Sequence, residues 1–201
     1  MHKVYITGFG KFNGVDNNPS QEIVKRLTSN NDIDITTEIL EVSIEGCQNS
    51  NVYQHQKDIC DNECIYIHLG VDSSSTCYKL EQYGYNLCHF RCPDEQNNQP
   101  MRTPINDTKK LDESLYTYLP LKMIQGTLTN EGYNVEGIVI KFIKSIIMIF
   151  ILFLFQLVII LVDFFVIIFT INRYIKIILR VMLMYYSYMS HLKQFFQSMN
   201  R

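Results

Sequence analysis

Apolar and polar positions alternate through KVYITGF, residues 3–9, with β-branched and aromatic side chains at strand spacing, and the run predicts a first strand. NPSQEIVKRL follows, residues 18–27. Asn18 suits an N-cap, Pro19 a first helical position, and Ile23, Val24 and Leu27 one apolar face, so a helix is expected there. IDITTEILEVSIE, residues 33–45, predicts a second strand, and CIYIHLGV, residues 64–71, a third that is apolar enough to be buried on both sides. Between them GCQNSNVYQHQKDICDN, residues 46–62, has weak periodicity and is expected to be helical. TKKLDESLYTYL and PLKMIQGTLTNEG, residues 108–132, read as another helical region, broken or kinked at Pro120. Strands alternating with helices argue for an α/β fold, a single α/β/α layered domain on a mainly parallel twisted sheet.

The hydropathy pattern changes abruptly near Gly137. Residues 1–136 mix Asn, Asp, Ser and Gln with short apolar runs, whereas from there the chain reads GIVIKFIKSIIMIFILFLFQLVIILVDFFVIIFTINRYIKIILR. Residues 146–162 are apolar except for Gln156, which is long enough to span a bilayer, and a second apolar stretch follows Asp163. The expected organisation is therefore an α/β domain over 1–136, its sheet incomplete at the C-terminal side, and a divergent tail over 137–201 forming a long apolar helix.

Composition narrows the function. The net charge of -2 provides no electrostatic footprint for nucleic acid, and the basic residues do not cluster on a base-reading motif, so no nucleic-acid partner is expected. MHKVYITGFG enters strand-like sequence directly, without the apolar region and cleavage site of a secretory signal. All six cysteines, Cys47, Cys60, Cys64, Cys77, Cys88 and Cys92, lie in the first half, and without an oxidising destination they are expected as reduced thiols.

The loop TGFGKFNGVDNNPS, residues 7–20, raises the question of a phosphate cradle. A Walker A loop needs Lys followed by Ser or Thr, and Lys11 is followed by Phe12. The dinucleotide pattern needs a small residue at position 13, where Asn13 stands, and Gly14 comes one place late. Both fail. Phe9 and Phe12, on a loop at the carboxyl end of a strand, either line an apolar pocket or pack beneath the next helix. Cys60, Cys64, Cys88 and Cys92 make two Cys-x3-Cys pairs with His89 near. These are either zinc ligands or scattered buried thiols, and their place in different kinds of element favours the thiols. Glu81 and Arg91 lie in KLEQYGYNLCHFRCPD, after HLGVDSSST. They could orient a histidine or hold a polar substrate group, or form a surface ion pair.

In order and at these separations, TGFGKFNGVDNNPS, HLGVDSSS and LEQYGYNLCHFRCPD with its following NNQP and PI resemble the pyroglutamyl-peptidase I family, the pyrrolidone-carboxylate peptidases, over about residues 3–136. The resemblance implies a cytosolic cysteine peptidase on a globular α/β fold. It would remove N-terminal pyroglutamate from peptides and work without a metal or organic cofactor. It further implies that Phe9 and Phe12 hold the lactam ring, that Glu81 is the acidic member of a Cys/His/Glu constellation, and that Arg91 helps stabilise the oxyanion. In such a constellation a histidine takes the thiol proton and a carboxylate orients the imidazole.

The chain departs from the family after EGYNVE, residues 131–136. The family's Asp-Ala-Gly…Leu-Cys stretch is replaced by GIVIKFIKSIIMIF, no cysteine follows Cys92, and the only later histidine is His191 in YMSHLKQFF. Nucleophile and base are both missing, so the chain as written is expected to be inactive. Three origins suit the tail. It is a wrongly translated or decayed stretch, a single-pass anchor through about residues 146–171, or a packed core helix of a pseudoenzyme. Ile, Phe, Leu, Lys, Tyr, Asn and Met are what A+T-rich DNA yields, and the chain contains no alanine, which favours the first. An anchor would make the membrane a partner, with Lys141 and Lys144 before the span and Arg173, Lys176 and Arg180 after it.

Overall fold

The computed structural model describes residues 2–12, 14–27, 33–58, 64–72, 75–139, 156–161, 177–182 and 184–185. The strands are β1 (His2–Phe9), β2 (Ile33–Leu40), β3 (Cys64–Val71), β4 (Tyr78–Glu81), β5 (Tyr83–Tyr85), β6 (Ser114–Tyr116), β7 (Val135–Val139) and β8 (Gln156–Leu161). The helices are α1 (Pro19–Val24), α2 (Ile44–Gln48), α3 (Asn51–Asp58) and α4 (Leu121–Asn130), and residues 177–182 and 184–185 are also helical.

Six strands form one sheet in the order β2-β1-β3-β8-β4-β7, and β5 and β6 form a separate antiparallel ribbon. The pairs β1–β2, β1–β3, β3–β8 and β4–β7 are parallel, while β4 runs antiparallel to β8. The expected α/β fold with a mainly parallel sheet is the one observed.

The period of two along each strand sorts the residues onto two unlike faces. One face carries Val4, Ile6, Ile65, Ile67, Leu69 and Leu80, all nearly inaccessible. It is covered by Ile23 and Val24 of α1, Ile124 and Leu128 of α4, and Ile178, Leu179, Val181 and Met182 of the C-terminal helical residues. At about 1.5–3 kcal/mol for each fully buried aliphatic side chain, this face is the main source of stability. The other face carries Tyr5, Thr7, Phe9, Cys64, Tyr66, His68 and Glu81. Val52 of α3 packs on Cys64 and Tyr66, and Cys47 of α2 joins the cluster around Phe9. Thr7, His68 and Glu81 all lie on this second face.

Two expectations are corrected and a third, the helical segment after β2, is refined. The helix foreseen over 108–119 is absent: Ser114–Tyr116 is β6, paired with Tyr83–Tyr85, and α4 begins only after Pro120, which ends one segment rather than kinking a helix. Residues 44–58 form two helices, α2 and α3, because Ser43 caps the first and Asn49 closes it. The long apolar helix through the tail is not what residues 156–161 form. They are a strand seated between β3 and β4, so the tail supplies a strand to the sheet that was expected to lack it. The rest of the span foreseen at 146–171 lies outside the described residues, as do Cys60 and His191. Among the described residues no helix is long and apolar enough to cross a membrane.

Candidate functional site

The loop after β1 is fixed by the NPS triplet. Asn18 caps α1, accepting from the Ser20 backbone N–H at 3.0 Å and from the Ser20 hydroxyl at 2.7 Å, and its Nδ2 donates to the Gly10 carbonyl at 2.9 Å. The Phe9 N–H donates to Ser20 Oγ at 2.9 Å. Asn18 and Ser20 are both buried, so these bonds form in a low-dielectric setting where an unmade one is costly. Gly8 permits the approach: a Cβ there would lie 2.6 Å from the Ser20 carbonyl oxygen. Gly14, at φ +80°, serves the tight turn in which Phe12 and Val15 exchange backbone bonds of 3.2 and 2.7 Å. The glycines of this loop therefore serve backbone geometry, in keeping with the failed phosphate patterns.

Phe9 is buried and Phe12 half-buried, in one apolar cluster with Leu40, Val42, Cys47, Cys88 and Phe90. The Cys88–Phe90 strip is tied to the rest by backbone bonds Cys88–Thr103 and Phe90–Pro100. Arg91 follows Phe90 and is exposed, its carbonyl accepting from Gln99 Nε2 at 3.0 Å. Phe9, Phe12 and the Arg91 segment are thus brought together. Burial pushes the Cys88 thiol up to about 11 and the Cys47 thiol higher still, so neither is a ready nucleophile at neutral pH.

Glu81 is not a member of that apolar cluster. It is the last residue of β4, buried with a relative exposure of 6%. Burial pushes its carboxyl up to about 8. Lys79, 2.8 Å from Asp72, opposes the rise and Asp72 adds to it. An acid in this state is mostly protonated at pH 7.

Two polar constructions on the same face were missed from sequence. His68 on β3 bonds through Nδ1 to Thr7 Oγ1 of β1 at 2.7 Å, and its buried Nε2 has no partner among the described residues. Burial lowers the His68 pKa to about 4, so the imidazole is neutral. Both His68 and Glu81 are register partners of Val158 in β8. They therefore share a face and lie two strand spacings, about 9.6 Å, apart at Cα. Nearer the amino ends of the strands, His55 bridges Tyr5 OH and Tyr66 OH, each at 2.8 Å. The signal was available in HLGV: a histidine at an alternate position of an otherwise apolar strand must face the polar side.

Comparison with known proteins bears on the family and the fold. The family described as pyroglutamyl peptidase matches residues 2–141. The pyrrolidone-carboxylate peptidase of Vibrio parahaemolyticus is 31% identical over 134 residues, covering 66% of this chain and 61% of that protein. That of Fusobacterium nucleatum is 29% identical over 136 residues, with 66% and 60% covered. The chain thus matches about three-fifths of the length of these curated relatives. Among solved structures, pyroglutamyl peptidase I from Bacillus amyloliquefaciens superposes with a TM-score of 0.75 at 20% identity, covering 90% of this chain and 94% of that one. Pyrrolidone carboxyl peptidase from Thermus thermophilus gives 0.70 at 18% identity, with 88% and 98% covered. At these identities the likeness establishes the fold.

Proposed function

This chain belongs to the pyroglutamyl peptidase family, and on that premise we propose that it recognises peptides with an N-terminal pyroglutamyl residue but does not hydrolyse them. In this reading Phe9 and Phe12 form the apolar wall for the lactam ring, Arg91 stands near the carbonyl to be attacked, and Glu81 is the acid of a constellation whose other two members are lacking. The observation that carries the reading is that residues 93–201 contain no cysteine to act as nucleophile. Removing the nucleophile from such a constellation costs several orders of magnitude in rate. The state of Glu81 supports it: burial keeps its carboxyl largely protonated, and it would not orient an imidazole as a carboxylate does. The cytosol is the proposed location, as the family resemblance implies.

The test combines turnover and binding. A fluorogenic pyroglutamyl amide should show no release above the uncatalysed rate, while titration with a pyroglutamyl dipeptide amide should show saturable binding that weakens about tenfold or more in Phe12→Ala. Turnover that is abolished by Glu81→Gln would refute the loss of activity. Absence of any binding would refute the recognition.

A further inference from the structure

His68 is not used by the function proposed above, yet one of its ring nitrogens is buried without a partner among the described residues. The imidazole is held at one end only. Thr7, fully buried, bonds Nδ1 at 2.7 Å, while Nε2 is buried without a partner among the described residues. A buried polar atom left unpaired is costly, so an unfilled position of this kind calls for an explanation. Gly70, two residues further along β3 and so on the same face, adds no side chain there. Phe9, two residues beyond Thr7 on β1, brings an aromatic ring to that side of the sheet. Glu81 shares the face two strands away. The imidazole is neutral because burial holds its pKa near 4, which suits an uncharged amide better than a carboxylate.

We propose that His68 is a positioning residue for the pyroglutamyl group, its Nε2 making a hydrogen bond to the amide edge of the lactam. This rests on the recognition proposed above and adds to it the polar contact that a purely aromatic wall lacks. The lactam presents a carbonyl acceptor and an N–H donor side by side. The Thr7 hydroxyl can either donate to Nδ1 or accept from it, so whichever tautomer His68 adopts, its Nε2 meets a complementary group.

Two variants separate the ends of the ring. His68→Asn keeps a polar atom where Nδ1 meets Thr7 and removes the one at Nε2, whereas His68→Gln does the reverse. Titrated with a pyroglutamyl dipeptide amide, His68→Asn should bind at least tenfold more weakly than the unaltered chain, and His68→Gln within about threefold of it. The matching prolyl dipeptide amide, which lacks the lactam carbonyl, should not distinguish the three proteins. Binding that is unchanged in His68→Asn, or weakened more in His68→Gln, would overturn the proposal and leave pyroglutamyl recognition standing. If the unaltered chain binds no pyroglutamyl amide, both fall together. Should either variant fail to fold, ¹⁵N-histidine spectra of the unaltered chain decide: ligand should shift the His68 Nε2 resonance and leave Nδ1 nearly in place, and an unmoved Nε2 would refute the contact.

Discussion

Replacing Glu81 by Gln should make the protein more stable at alkaline pH and leave it nearly unchanged at pH 5. The carboxyl is raised from 4.5 to about 8, chiefly by burial, at a relative exposure of 6%. A group whose folded pKa lies above its unfolded value contributes stability that is fully present below the unfolded pKa and disappears as pH rises through the folded one. For Glu81 that window runs from 4.5 to about 8. Each pH unit crossed inside it costs about 1.4 kcal/mol, so deprotonation takes about 4–5 kcal/mol from the fold. That is a large part of the 5–15 kcal/mol typical of a domain. Glutamine has no proton to lose and removes this slope. Urea unfolding at pH 5, 7 and 8.5 should give two curves that meet near pH 5 and diverge upward, with Glu81→Gln ahead by about 2–4 kcal/mol at the highest pH. His68 acts in the opposite sense. Its pKa, lowered by burial to about 4, favours the fold above 6.5 and withdraws that support as pH falls toward 4, but it is common to both proteins and cancels in the difference. Parallel profiles across the range would show that Glu81 is not a desolvated acid.

Two further outcomes follow from the geometry around the site. Gly8→Ala places a Cβ 2.6 Å from the Ser20 carbonyl oxygen and 2.8 Å from its carbon. Backbone must therefore move, and thermal unfolding should report a loss of about 1–3 kcal/mol; an unchanged midpoint would mean that α1 does not cross β1 this closely. Glu38 on β2 accepts from the Asn51 and Val52 N–H groups at 3.0 Å each and from the Ser50 hydroxyl at 2.6 Å, closing the exposed start of α3. Glu38→Ala should cost about 1–3 kcal/mol and speed amide exchange at Asn51 and Val52. Faster exchange across the whole sheet instead would point to a global rather than a local role.

The front of the chain was legible because its local signals agree with its tertiary ones. Asn18 and Pro19 announce the start of α1, and the structure uses Asn18 twice, as cap and as anchor for Gly10. The aromatic pair Phe9 and Phe12 stands beside the carboxyl end of β1 as its position in the sequence suggests, Phe9 buried and Phe12 half-buried in one cluster. What stayed hidden depends on contacts distant in sequence. SLY at 114–116 lies in polar sequence with helical composition, and only its pairing with YGY at 83–85 makes it a strand. Likewise Glu81 is a short stretch from Asp72 in sequence, but its burial comes from sitting in β4 beside β7 and β8. The Thr7–His68 bond joins residues 61 apart, and no local pattern records it.

The tail shows where hydropathy alone misleads. A strand buried on both faces and a membrane helix are written with the same residues, and length is the usual arbiter. By length, 146–162 argues for a span. Yet QLVIIL within it is rich in β-branched residues, and it forms β8 between β3 and β4. That location bears on the chemistry. β8 is the strand separating His68 from Glu81, with Val158 in register with both. From Leu157 to Leu161 its sequence offers no titratable side chain, so this strand supplies neither a base for Glu81 nor a nucleophile. Glu81 is protonated chiefly because it is buried, and no titratable residue of that strand offsets the burial.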